Sequence, residues 1–338
     1  MDSPPVSQGR LRAHAPFHLE ATVRVLQRRP ENRVDCWEHD RYRRLLETPD
    51  GLVLVEVENR GTIDEPDVRY WLRHGARPPA ARAALVGTLR RILGLDVDPE
   101  PLRQLAGAVR GLRPAALALR GMRPPRFSGL FEAFANVVPF QQLSLDAGVA
   151  IVGRLVERFG ERLERDGRRL HAFPAAHTIA RARLERLRQC GLSARKAETL
   201  RSLARGIASG ELSEEEISSM SSAEALRLMV QLPGIGPWSA SLVLLRGLGR
   251  LDVFPPGDVG AQSGLRALMR LRPQAPLGRI IERFGEYRGY LYFCALGGRL
   301  LARGLIQPAT PAHAGGRYAI SSTKFALNRG FSFTPPLA

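Results

Sequence analysis

The stretch LPGIGPWSASLVLLRGLGRLDVFPPGD, residues 232–258, decides how the rest of the chain is read. It sets two glycines two apart at a turn, runs an apolar helix out of that turn, and ends on a carboxylate in a Pro/Gly loop. Just upstream, Ser221-Ser222-Ala223-Glu224 has the spacing of a capping box, an N-cap hydroxyl with a glutamate three residues on. The helix it opens carries Ala225, Leu228, Met229 and Leu232 on one face. Pro233 and Gly234 end that helix, Ile235 plugs the turn, and Gly236 lets the chain bend again before Pro237 takes a first-turn position that suits it. The stretch predicts two short helices joined by a glycine-lined hairpin.

Such a hairpin lets another backbone approach closely, because glycine has no Cβ, and the amides opening its second helix point outward with the positive end of the dipole. A nucleic-acid phosphate fits there without any base being read. Gly-x-Gly alone reads equally as a plain helical turn, so the flanking helices and the charge of the chain carry the phosphate reading. Asp258 stands twenty residues past Trp238. A helix of about a dozen residues spans about 18 Å, and a return loop through residues 251–257 brings the acid back over the helix start. Asp258 also has the place of an N-cap for a helix opening at Val259, and the two roles are compatible. Asp252, the rival carboxylate, reads as a turn residue.

The 338-residue chain has 50 Lys and Arg against 33 Asp and Glu, a net charge of +17. That surplus favours a polyanionic partner. Almost all of it is arginine, the only lysines being Lys196 and Lys324. Schiff-base chemistry needs a lysine or a terminal amine, so few candidates exist. Cys36, Cys190 and Cys294 are odd in number and widely spaced, which argues against a disulfide framework or a Cys-ligated metal and for a reducing, cytoplasmic setting. No apolar run approaches the length of a membrane span, and the N-terminus has no signal-peptide core.

Residues 1–16 read as a loose lead-in. The alternation Phe17, Leu19, Ala21, Val23, Val25 has the period of a half-buried strand. A second strand follows in LVLVEVENR (52–60), after the turn signal Pro49-Asp50-Gly51. Trp37, Tyr70 and Trp71 read as packing for that sheet, and 79–94 as a helix beside it. Residues 17–115 therefore read as an α+β antiparallel sheet domain. Beyond Pro101 helical periodicity takes over, in segments 128–136, 143–159, 178–189, 194–208, 222–232, 237–248, 259–271, 276–284 and 287–304. Residues 116–306 form a helical core with the hairpin at 222–248, and 307–338 read as a flexible tail. The fold class is mainly α, a small antiparallel sheet domain followed by a two-lobed helical core.

The residues quoted above resemble the helix-hairpin-helix DNA glycosylase superfamily, in its 3-methyladenine DNA glycosylase II branch. Two further segments share the likeness: CGLSARKAETLRSLARGIASGEL (190–212) resembles the helices preceding the family's hairpin, and FEAFANVVPFQQLS (131–144) resembles its segment ending in Gln-Gln-x-Ser. The likeness spans residues 17–306. It implies removal of a damaged base from duplex DNA, with the nucleotide rotated into a pocket. The residue carried over as catalytic is Asp258, which would stabilise positive charge developing on the sugar. Strand-cutting relatives carry a lysine where this chain has Trp238, so no β-lyase activity is expected. The resemblance implies a base pocket walled by Trp238, with Phe140, Tyr287 and Tyr290 as further candidates, and cationic alkylpurines held by stacking and cation–π attraction. It implies DNA contacts at Gly234, Ile235, Gly236 and Ser239, with Gln142 filling the gap left by the flipped base. It implies no metal or cofactor beyond a monovalent cation at the hairpin carbonyls, and a monomer acting on double-stranded DNA.

Three departures stand out. Pro256-Gly257-Asp258 occupies a place where the branch has two adjacent carboxylates, Pro237 removes an amide donor, and Leu296 lies where close relatives put a pocket tryptophan. The reaction class is less exposed to these changes than the substrate range. Two other readings stay open: a non-catalytic damage sensor, and a glycosylase for deaminated or oxidised bases. An acid at position 258 favours an enzyme, since a pure phosphate binder gains nothing from a carboxylate there.

Overall fold

The computed structural model describes residues 7–75, 78–165 and 167–309. Five strands, β1 (Ser7–Leu11), β2 (Cys36–Glu38), β3 (Arg41–Thr48), β4 (Gly51–Asn59) and β5 (Val68–His74), form one antiparallel sheet in the order β1-β5-β4-β3-β2. Pro49-Asp50 makes the tight β3–β4 link, with Thr48 opposite Gly51. Tyr70 and Trp71 are buried in this sheet as expected, and Trp37 packs against the core half-buried.

Two expectations for the N-terminal part fail. The lead-in contains β1, an edge strand whose Gly9 lies opposite Tyr70. A side chain at Gly9 would collide with that ring, which explains a glycine in a strand. Residues 1–6 lie outside the described residues. The alternating Phe17–Val25 run is a helix, α1 (Leu19–Gln27), capped by His18. It packs between β2 and β3 on one side and the last long helix on the other, so its residues are buried nearly all round. An alternation of two survives by accident in a helix with no solvent face.

The helices α2 (Pro79–Ile92), α3 (Pro99–Ala108) and α4 (Arg113–Ala118) lead to α5 (Leu130–Ala135) and α6 (Leu145–Phe159). A short hairpin, β6 (Arg162–Arg165) and β7 (Arg168–His171), interrupts the helical half and docks on the sheet through Leu45, Leu54 and Ala172. The expected helix at 178–189 is two, α7 (Ala176–Ala180) and α8 (Leu184–Arg188), before α9 (Ala194–Ser209) and α10 (Glu214–Ser219). The chain then runs through α11 (Ser222–Val230), α12 (Pro237–Val243), α13 (Val259–Leu268), α14 (Gly278–Arg283) and α15 (Tyr290–Ala302). Residues 307–309 are tied down: the Gln307 carbonyl pairs with His18 Nε2, its amide donates to Glu20, and the Ala309 amide donates to the Ala118 carbonyl. The rest of the expected flexible tail, from residue 310, lies outside the described residues.

Every residue of α5 is buried. Phe134 joins the large core shared by the sheet and α11–α15, and Phe131 joins a second core made with α6–α9. Between these rings Glu132 pairs with Arg44 of β3, which also donates to Asp35 Oδ1 at 2.8 Å. Tyr42 donates to the same Asp35 oxygen at 2.8 Å, and Ser128 donates to Glu132 through both hydroxyl and amide. Arg44 is 1 % exposed, so its removal would strand two buried carboxylates. Arg44→Met is therefore expected to cost about 3–5 kcal/mol of unfolding free energy, read from the denaturant midpoint against wild type.

Candidate active site and nucleic-acid interface

The hairpin forms as its sequence dictates. Ser221 accepts from the Glu224 amide at 3.3 Å and Glu224 takes the Ser221 amide at 2.9 Å, a complete capping box for α11. Gly234 sits at φ +80°, where an added methyl would drive into Thr199 of α9. Ile235 is 4 % exposed and plugs the turn, while Gly236 caps α12 with open space where a Cβ would stand. Beyond α12 the helix widens into a π-turn, Leu244–Leu248, and Gly249 ends it in the left-handed region.

The return loop brings Asp258 back to the foot of the hairpin. Its Oδ2 accepts from Trp238 Nε1 at 2.9 Å, and its Oδ1 accepts from the Ala261 amide at 2.6 Å, capping α13. One carboxylate is thus both cap and cleft residue, held by two donors. Asp252 is turned elsewhere and accepts from Ser222 Oγ at 2.9 Å, which pins the loop to the start of α11.

A cleft of ≈ 1080 Å³ opens beside this pair. Its walls come from the segment after α5 (Phe140–Leu143), the start of α9, the hairpin, the 257–261 loop and one face of α15. Trp238, Phe140 and Gln142 line it, and Gln142 is exposed at φ 55°. Tyr287 and Tyr290 do not line it. Tyr290 is buried on the opposite side of α15, where it pairs with Cys294. The α15 residues that do face the cleft are Tyr292, Leu296 and Arg299, at the i, i+4, i+7 spacing of one helix face. Sequence reasoning missed Tyr292 and Arg299 because α15 is apolar almost all round; the Leu296 position was the signal that could have set the face.

The side chains of Ile235 and Ser239 are turned inward rather than toward a ligand. Ser239 is 3 % exposed, and its Oγ accepts from Gln141 Nε2 at 2.9 Å. The same Gln141 nitrogen donates to the Gly234 carbonyl at 2.9 Å. Gln141 was not foreseen, yet it staples the segment after α5 to the hairpin. Lys196 reinforces that segment, donating to the Pro139 and Gln141 carbonyls at 3.2 and 2.6 Å, and burial pulls its pKa below the usual lysine value. Arg299 donates to the Gly260 carbonyl at 2.5 Å and to Ser263 Oγ at 2.9 Å. Burial lowers the Arg299 pKa, with nearby Asp258 opposing. Among the described residues there is no cluster of three or more His, Cys, Asp or Glu that could hold a metal ion, and no helix is long and apolar enough to cross a membrane.

This architecture has known counterparts. The model of the HhH-GPD superfamily of base excision DNA repair proteins matches residues 136–286, and that of the AlkA N-terminal domain matches residues 8–128. A DNA-3-methyladenine glycosylase of Bacillus subtilis is 31% identical over 215 residues, 63% of this chain and 71% of its own. The DNA-3-methyladenine glycosylase 2 of Escherichia coli is 26% identical over 246 residues, 70% of this chain and 81% of its own. Among solved structures, a 3-methyladenine DNA-glycosylase from Archaeoglobus fulgidus aligns with a TM-score of 0.71 at 27% identity, covering 87% of this chain and 99% of that one. With its capped hairpin, its returning carboxylate and its N-terminal sheet, the chain belongs to the helix-hairpin-helix base excision DNA repair superfamily, in the 3-methyladenine glycosylase II branch.

Proposed function

We propose that the protein is a monofunctional DNA glycosylase that binds damaged double-stranded DNA as a monomer in the cytoplasm and hydrolyses the bond between an alkylated purine and its sugar. The observation that carries this reading is Asp258, held at the cleft by Trp238 and the Ala261 amide. The names of the relatives support the alkylated-base substrate. Gly236, with nothing within 4 Å of a Cβ position, gives a phosphate access to the hairpin backbone, and Gln142 stands exposed where the vacated base position would need filling.

In the reaction the glycosidic electron pair leaves with the base, positive charge builds on the sugar, and water adds to C1′. Asp258 stabilises that charge, and its two donors fix where the carboxylate points. Trp238 supports one of these contacts and offers a ring to the flipped base. The remaining lysine of the described residues, Lys196, is tied to two carbonyls on the far wall, which supports hydrolysis without strand cleavage. A monovalent cation at the hairpin belongs to the same reading, although Gln141 already occupies the Gly234 carbonyl. No step above depends on it.

Three outcomes follow. Asp258→Asn is expected to abolish release of methylpurines from methylated duplex DNA while leaving DNA affinity equal or slightly higher; undiminished release removes the assignment. Wild type is expected to give strand breaks only after hot alkali, and borohydride trapping of a covalent protein–DNA adduct would contradict the hydrolytic mechanism. Gly236→Ala is expected to leave the melting temperature within a few degrees of wild type but to weaken DNA binding several-fold, measured by anisotropy over a salt series. Equal binding by this variant would remove the hairpin from the interface.

A further inference from the structure

Two buried cations stand behind the cleft with no role in the chemistry above. Arg28 and Arg246 are 8 % and 0 % exposed, and among the described residues neither pairs with a carboxylate. Both are held mainly by aromatic rings. The Arg246 guanidinium lies 4.6 Å from the centre of Phe127, Arg28 lies 5.7 Å from that ring, and Arg28 also lies 4.8 Å from the centre of Phe140. Phe140 lines both the cleft and a small inner cavity that Arg28 also lines, so one ring separates the Arg28 charge from the cleft. Arg246 abuts Tyr292, a second cleft wall. Its pKa falls to about 9, from burial first and repulsion by Arg28 second, so it remains charged at neutral pH. Of the charged side chains that line the cleft itself, Arg195, Lys196 and Arg299 outnumber Asp258.

Buried charges are screened little by salt, so they act on whatever occupies the cleft. A cationic alkylpurine meets like charge behind the wall. A neutral lesion meets the opposite situation as it reacts. Its C1′–N9 bond breaks with both electrons on N9, so the departing base is an anion until it takes a proton from solvent, while the water that closes on C1′ gives up a proton. The products are the protonated neutral base and a 1′-hydroxyl. From an N7-methylated cation the same electron pair leaves a neutral base, and the fixed charge helps nothing.

We infer that Arg28 is a specificity-determining residue whose unpaired charge behind Phe140 tilts the cleft away from cationic bases and toward neutral lesions that leave as anions. This rests on the glycosylase reading and refines its substrate class. Arg28 sits at φ 62°, so variants there share the same backbone strain and can be compared with one another.

The test is the ratio of kcat/KM for 7-methylguanine to that for hypoxanthine, each in the same duplex sequence, in wild type, Arg28→Met and Arg28→Lys. Arg28→Met is expected to raise the ratio about three- to tenfold, the scale of one desolvated cation–π or charge contact, while Arg28→Lys stays near wild type. A purely structural residue would lower both rates together, and an unchanged ratio in Arg28→Met overturns the inference. Should Arg28→Met fail to fold, inhibition of wild type by neutral 7-methylguanine and by the 7,9-dimethylguaninium cation gives the same answer: tighter binding of the neutral base supports it, equal or tighter binding of the cation overturns it. Release of neither base by wild type would remove the glycosylase reading itself, whereas release of both with an unmoved ratio removes only the role of Arg28.

Discussion

The fold hangs on the burial of Glu132. It lies in a six-residue helix with no solvent face, and its charge is met by Arg44 from the sheet domain. Two hydrophobic cores therefore touch opposite sides of α5, and the sheet is joined to both by an ion pair with almost no access to water. Breaking such a pair strands a charge in a medium that cannot solvate it. The same helix carries the chain directly into Val138–Gln142, so the wall of the cleft is placed by the most constrained element in the molecule. Gln141 passes that constraint on to the hairpin.

The cleft is assembled from segments far apart in sequence that are each fixed by ordinary local chemistry. A capping box sets α11, a left-handed glycine sets the turn, and an aspartate cap sets α13. The last of these gives the site its economy, because capping fixes the carboxylate whether or not DNA is bound. Pre-set orientation of this kind is what electrostatic stabilisation of a developing charge requires. The two donors also leave Asp258 little freedom to turn toward Arg299.

What was legible in the sequence was local. The hairpin, its caps and the helices around it follow from glycine, proline and Ser-x-x-Glu spacing, and these signals need no distant partner. The α1 segment was misread because alternation and all-round burial look alike when no polar face marks the period. The β6–β7 hairpin sits on an Asp-Gly pair, a strong hairpin signal, yet its arginines obscured any apolar alternation. Tyr292 and Arg299 were hidden because α15 is apolar on nearly every side, and only its neighbours decide which residues meet the cleft. The Asp35–Arg44–Glu132 cluster joins residues up to 97 apart and has no sequence signature.

The indole of Trp238 donates to the very carboxylate that meets the reacting sugar. An indole's emission follows the field and hydrogen bonding at its ring nitrogen, and the chain has three tryptophans. The other two, Trp37 and Trp71, belong to the sheet, where Trp71 donates to Gln8 and lies beneath Arg60. The molecule therefore carries its own optical reporter at the cleft: a nucleotide entering beside Trp238 changes that residue's surroundings and leaves the sheet pair as an internal reference, so base insertion can be timed apart from bond cleavage without any attached dye.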